Sequence, residues 1–178
     1  MGDISHGLKI IEEFVKVTKE YPFCFAFKFQ YRNLEAFIHK SFQGRKDIHY
    51  VKRFSETCLT EEDFLTLKSK AHELGFLTIC TPFDEDSVRN VVSHGYDFIK
   101  IASASFTDWP LLEEIVEQDL PVIASTGGAS LYDIDGVVSF FEHRGKDISL
   151  MHCVPQYPTE SDNQNLGQIS FLKRRYSH

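Results

Sequence analysis

The sequence predicts an α/β fold, an incomplete TIM (β/α)8 barrel of about five parallel strands with flanking helices. Three observations lead there. Short apolar runs at 23–30, 76–81, 97–105, 122–128 and 148–157 each break off at a polar cluster. Helical patterns separate the later runs, so strand and helix alternate, as parallel pairing requires. The first run has a period of two: Phe23, Phe25, Phe27 and Phe29 take one face, Cys24, Ala26, Lys28 and Gln30 the other. An open doubly wound sheet buries both faces under helices. A barrel wall sets large residues against its helices and leaves a small-to-polar face inside, which is the pattern seen.

Taken in order, residues 8–20 carry Leu8, Ile11, Phe14, Val15 and Thr18 at helical spacing, with Ser5 as the expected N-cap. The alternating strand 23–30 follows. Residues 31–59 read as a long irregular stretch rich in charge and aromatics, the signature of an active-site loop. Thr60-Glu61-Glu62-Asp63 opens a helix in a capping box, and Gly75 closes it. Strand 76–80 leads to a helix over 84–94, with acids in its first turn suiting the helix dipole and Gly95 at its end. Strand 97–102 precedes a helix at 109–118 with Asp108 as cap and Pro110 in the first turn. Strand 121–125 runs into Gly127-Gly128 and a helix over 130–144 stopped by Gly145. Strand 148–153 and a helix over 166–175 end the pattern.

A complete barrel takes about 250 residues, and this chain has 178. It reads as a single partial barrel domain over 1–178, holding the second to sixth strands without the first, seventh or eighth. Such an open sheet is expected to melt easily or to self-associate through its edges.

The formal net charge is -7, and the basic residues are dispersed apart from Lys173-Arg174-Arg175 at a helix end. That disfavours nucleic acid as a partner. No apolar stretch approaches the roughly 20 residues of a membrane span, and the start lacks a signal-peptide core. Cys24, Cys58, Cys80 and Cys153 show no metal-ligand spacing. A buried thiol is expected for those at strands, and a reduced, cytoplasmic setting fits. His39, His49, His72, His94 and His143 fall in loops or on helix surfaces, where exposure is expected, and His152 at a strand end.

Parallel strands bring their C-terminal ends to one face, where such folds keep their ligands. Lys28, Gln30, Thr81, Lys100, Ser103, Ser125, Thr126 and Tyr157 converge there. Lysines inside apolar runs, Phe-Lys-Phe and Ile-Lys-Ile, are costly unless they meet an anion. One could be a structural ion pair; two on a shared ligand face point to a phosphate or carboxylate. Ser125-Thr126-Gly127-Gly128 adds hydroxyls and a permissive backbone leading toward a helix N-terminus.

Lys28-Phe29-Gln30, Thr81-Pro82-Phe83-Asp84, Lys100-Ile101-Ala102-Ser103, Ser125-Thr126-Gly127 and His152-Cys153 with Tyr157-Pro158-Thr159 occur in an order that resembles the sialic acid (N-acetylneuraminate) synthases. The resemblance covers nearly the whole chain. It implies a (β/α)8 barrel, often followed by an antifreeze-like domain, that condenses phosphoenolpyruvate with an N-acylated amino sugar to a nonulosonic acid and phosphate. It implies that Lys28, Thr81, Lys100, Ser103 and Ser125 hold phosphoenolpyruvate, that Gln30 belongs to the substrate site, and that Tyr157 contacts the sugar. It also implies a homodimer and a divalent metal, Mn or Mg, whose histidine ligands belong to the seventh and eighth strands; none is expected here, His178 included.

Two positions depart from the family pattern. Ser105, the candidate catalytic residue, stands where members carry an acid associated with proton handling, and Pro155 stands where an Asn is usual. Two other readings compete: a non-catalytic module that binds a phosphorylated ligand, and a Schiff-base aldolase with Lys28 or Lys100 as nucleophile.

Overall fold

In the computed structural model, which describes residues 2–176, five parallel strands form one sheet in the order β1-β2-β3-β4-β5. They are β1 (Ala26–Tyr31), β2 (Leu77–Pro82), β3 (Phe98–Ile101), β4 (Val122–Ser125) and β5 (Ile148–Met151). The order advances without the reversal that marks a doubly wound sheet. The sheet is an arc of a TIM barrel that does not close, as the first strand's alternation and the chain's length together predict.

Register explains why the two faces differ. Lys28 pairs with Ile79, Gln30 with Thr81, and Lys100 with Ile123. With Ser125 opposite Met151, these residues share the inner face. The outer face carries Phe27, Phe29 and Tyr31, then Cys80, Ile99, Ile101, Val122 and Ala124, and all the core helices pack against it. The first is α1 (Ile4–Thr18), which contributes Ile11 and Val15 and rests on α4 (Glu61–Glu73). Gly7 permits that contact, because a Cβ there would sit 2.8 Å from Leu67 Cδ2. The other core helices are α5 (Glu85–Ser93), α6 (Trp109–Val116), α7 (Leu131–Glu142) and α8 (Gly167–Arg175). Ile99, Ile101, Val91, Leu112, Val137 and Phe141 are fully buried in this layer; truncating any of the larger ones to Ala costs about 2–5 kcal/mol.

Helix starts follow the capping chemistry. Thr60 with Asp63 and Ser130 with Asp133 form reciprocal capping boxes. Asp84 caps α5 by accepting from Ser87 N at 2.8 Å, and its other oxygen takes Asn33 N at 2.7 Å. One carboxylate thus ties the exit of β1 to the start of α5. At α6, Asp108 occupies the cap position without a side-chain bond.

Several expectations need correction. Asp3, not Ser5, caps α1: its carboxylate accepts from Ser5 N at 2.9 Å, so Ser5 lies in the first turn. β1 begins at Ala26, because its ladder with β2 starts at the Ala26–Leu77 pair; Phe23 is 69% exposed and Cys24 is also exposed. Residues 31–59 are not wholly irregular. They hold α2 (Leu34–Phe37), capped by the Asn33 side chain, a 3₁₀ turn at Lys40–Phe42, and α3 (His49–Glu56). These pieces are too short for helical periodicity to register.

His94 is not a surface residue. Its side chain is 7% exposed, with Nε2 2.9 Å from Glu61 Oε1 and Nδ1 2.9 Å from Tyr31 Oη, while Tyr96 Oη donates to Tyr31 Oη at 3.0 Å. The group joins α4, α5 and β1. His178 lies outside the described residues. Among those residues, no helix is long and apolar enough to cross a membrane.

Candidate active site

The inner face carries the chemistry at its C-terminal end. Lys100 is 9% exposed; its Nζ donates to Ile101 O at 3.0 Å and to Ser125 Oγ. Cys153 Sγ donates to the same Ser125 oxygen at 3.2 Å. Ser125 Oγ thus receives two bonds, which occupies both lone pairs and turns its own proton outward as a donor. Gly127 N donates to Ser103 Oγ at 3.2 Å, so Ser103 also has a hydroxyl proton to give. Thr126 is spent on structure, with its N and Oγ1 both bonding Met151 O at 3.0 and 3.1 Å. Gly127 is required by space: a Cβ would lie 2.8 Å from Ser103 Oγ and 3.2 Å from Cys153 Cβ.

Two further groups lack partners among the described residues. Thr81 is 1% exposed and its Oγ1 makes no hydrogen bond. Such an orphaned buried hydroxyl costs about 1–3 kcal/mol. Lys28 forms neither an ion pair nor a hydrogen bond, so neither lysine is a structural salt bridge.

Burial pushes the Lys100 ammonium below the ordinary lysine pKa; Cys153 works against that shift, and Lys28 adds to it. Lys28 is lowered in the same way, by burial first and with Arg32 contributing. The site thus gathers donors with no carboxylate paired to them among the described residues: two ammonium groups, of which Lys100 reaches only neutral oxygens, and the hydroxyls of Thr81, Ser103 and Ser125.

The structure gathers the expected residues unevenly. Lys100, Ser103 and Ser125 sit within one bonded network. Gln30 and Thr81 are register partners on neighbouring strands. Ser105 is buried in the 3₁₀ turn Ser103–Ser105, directly below that network in sequence. Tyr157 stands apart at 96% exposure, in the loop after β5. His152 packs at the end of β5, with Nε2 2.9 Å from Gln164 O.

Composition and spacing missed two hydrogen-bonding neighbours of these residues. Cys153, expected as an inert thiol, is a hydrogen-bond donor within the network. Arg32 crowns β1, and the signal was available: Lys28, Gln30 and Arg32 alternate along one face.

A metal centre does not fit the described residues, among which no three His, Cys, Asp or Glu side chains cluster.

Comparison with known proteins gives consistent matches. The NeuB family model matches residues 15–178. An N-acetylneuraminate-9-phosphate synthase of Drosophila melanogaster is 30% identical over 161 residues, covering 86% of this chain and 43% of its own length. A Chromobacterium violaceum crystal structure assigned to spore coat polysaccharide biosynthesis protein E aligns with a TM-score of 0.95 at 52% identity, over 99% of this chain and 53% of that one. The N-acetylneuraminic acid (sialic acid) synthetase of Leptospira borgpetersenii serovar Hardjo-bovis aligns with a TM-score of 0.86 at 31% identity, over 98% of this chain and 57% of its own. The chain spans about half the length of these proteins.

Proposed function

The chain belongs to the NeuB family, and on that premise we propose that it supplies the phosphoenolpyruvate site of a nonulosonic acid synthase. The reaction joins phosphoenolpyruvate to an N-acylated amino sugar of the N-acetylmannosamine type. One observation carries the reading: the surplus of donors on the inner face, with no carboxylate paired to Lys28 or Lys100 among the described residues. Phosphoenolpyruvate presents a phosphate and a carboxylate, the complement of two ammonium groups and three hydroxyls.

In this reading Lys28, Thr81, Lys100, Ser103 and Ser125 hold the phosphate and carboxylate, and Gln30 and Tyr157 face the sugar. C3 of phosphoenolpyruvate bonds to the aldehyde carbon of the open-chain sugar, and the aldehyde oxygen takes a proton to become a hydroxyl. Water adds at C2 and gives one proton to the new alkoxide; as C2 becomes a ketone the second proton passes to phosphate, which departs with the electrons of its bond to C2. Lys28 and Lys100 bind the departing charge. Ser105 stands at the proton-handling position and can relay a proton between neighbours; a hydroxyl is too weak an acid to supply one unaided, so turnover is slow unless water shares that task. Residues 31–59 cover the site from the β1 end. A homodimer in the cytoplasm, served by a divalent metal bound elsewhere in the complete enzyme, is the setting this reading implies.

Isothermal titration with phosphoenolpyruvate tests the proposal on the 178-residue chain. Saturable binding that inorganic phosphate displaces is the expected result. Absence of saturation at roughly millimolar concentration overturns it.

Two competing readings each rest on one observation. The unpaired Lys28, with its lowered pKa, has the features of a Schiff-base nucleophile; borohydride trapping of a pyruvate adduct would select an aldolase. Ser105 in place of an acid favours a module that binds without turning over, selected by phosphoenolpyruvate binding with no phosphate release in the complete enzyme.

A further inference from the structure

Arg32 sits directly after β1 and continues the parity of Lys28 and Gln30, bonding through Nη2 to Gln30 Oε1 at 3.0 Å. Its guanidinium lies in an aromatic box: 4.0 Å from the ring centre of Phe83 at the end of β2, 4.8 Å from Phe54 on α3, and 5.8 Å from Phe37 on α2. The rings brace one another, with Phe37 5.8 Å from both Phe54 and Phe83. Among the described residues no carboxylate pairs with Arg32, and its Nε is buried without an acceptor. Arg53, the next cation outward on α3, has no ion-pair partner there either. Aromatic rings hold a guanidinium in place without neutralising it. The box therefore fixes the plane of a cation and leaves its charge unneutralised, with Nη2 held by Gln30 and Nε still lacking an acceptor.

We propose that Arg32 receives an anionic group on the acceptor sugar, at the end remote from phosphoenolpyruvate, so that the preferred acceptor is a phosphorylated or otherwise acidic N-acyl amino sugar. This rests on the phosphoenolpyruvate reading of the inner face. Arg32 is four residue steps beyond Lys28, about 13 Å along an extended chain. That is room for phosphoenolpyruvate and an extended sugar chain laid end to end. Lys28 and Lys100 then serve one anion and Arg32 a second, and its planar fork suits a phosphate or carboxylate. Arg32 already contributes to lowering the Lys28 pKa, so like charges gather here with no carboxylate paired to them among the described residues.

The test uses the 178-residue chain with saturating phosphoenolpyruvate and a chelator, titrating N-acetylmannosamine and N-acetylmannosamine 6-phosphate in parallel. The 6-phosphate is expected to bind at least about tenfold more tightly. Arg32→Met is expected to erase that margin, leaving phosphoenolpyruvate affinity within about twofold. Arg32→Lys, which keeps the charge but not the fork, is expected to retain only part of the margin, and it decides the matter if Arg32→Met fails to fold. Equal affinities in the unaltered chain, or a margin undiminished in both variants, overturn the inference. A margin that depends on Arg32 without any phosphoenolpyruvate binding supports Arg32 as a phosphate receptor and refutes the reading of the inner face. Phosphoenolpyruvate binding without the margin does the reverse.

Discussion

Replacing Lys100 with Met should move stability and binding in opposite directions. Among the described residues Lys100 Nζ reaches only Ser125 Oγ and Ile101 O, both neutral, and its pKa is lowered with burial as the first cause. The surroundings therefore favour its charge less than water does, even after those bonds are counted. Methionine fills nearly the same volume without the desolvation cost, and Ser125 keeps the bond from Cys153 at 3.2 Å. The loss of two bonds partly offsets the gain. A net stabilisation on the order of 1 kcal/mol is expected, in line with substitutions at strained functional positions, which raises Tm by about 2–4 °C in a domain of this size. Binding goes the other way. Removing one buried charged partner of an anion costs about 2–4 kcal/mol, roughly thirtyfold to a thousandfold in affinity for phosphoenolpyruvate. Calorimetry measures both, by melting and by titration. A variant that melts lower and binds phosphoenolpyruvate undiminished would refute the view of Lys100 as an unpaid buried cation awaiting a ligand.

Thr81→Val removes the orphaned hydroxyl at nearly constant shape; it should raise stability by about 1 kcal/mol and weaken phosphoenolpyruvate binding, read by melting and titration. Gly127→Ala places a methyl 2.8 Å from Ser103 Oγ; the loop must shift, costing about 1–3 kcal/mol and breaking the Gly127–Ser103 bond, visible as loss of amide protection at Gly127. The lowered pKa values of Lys28 and Lys100 make affinity fall as pH rises through them, earlier than for ordinary lysines near about 10.4. Over that window the unfolded chain holds more protons than the folded one, so stability of the free protein rises with pH. Within that alkaline window, titrations in buffers of different ionisation heats should show proton uptake on binding, and its absence there would argue against charged lysines in the complex.

Much of the fold was readable because parallel strands buried on the outer face leave dense apolar runs, and their polar ends mark where the sheet stops. Reciprocal caps made Thr60 and Ser130 visible as helix starts. What stayed hidden depends on contacts between distant segments. Nothing local distinguishes Cys153 from any buried thiol until β5 lies beside β4 and brings it to Ser125. His94 reads as a helix-end histidine, and only the approach of β1 and α4 supplies Tyr31 and Glu61. Residues 31–59 look irregular because α2 has four residues and α3 eight, each held by a cap or an aromatic contact rather than by periodicity. For the site, Lys28, Thr81, Lys100, Ser103 and Ser125 stood out by their positions at strand ends. Tyr157 lies beyond the end of β5 at 96% exposure, where its position depends on the loop rather than on the strand pattern.

The pairing of β1 with β2 has a consequence for errors in folding. Because large and polar residues alternate along β1, a shift of one residue would aim Phe27, Phe29 and Tyr31 into the hollow of the arc and drive Lys28 and Gln30 into the hydrophobic layer. Misfolded molecules would then be silent toward the ligand rather than weakened. The active fraction in any preparation should count correctly registered molecules directly, which makes ligand stoichiometry, not affinity, the measure of folding quality for this protein.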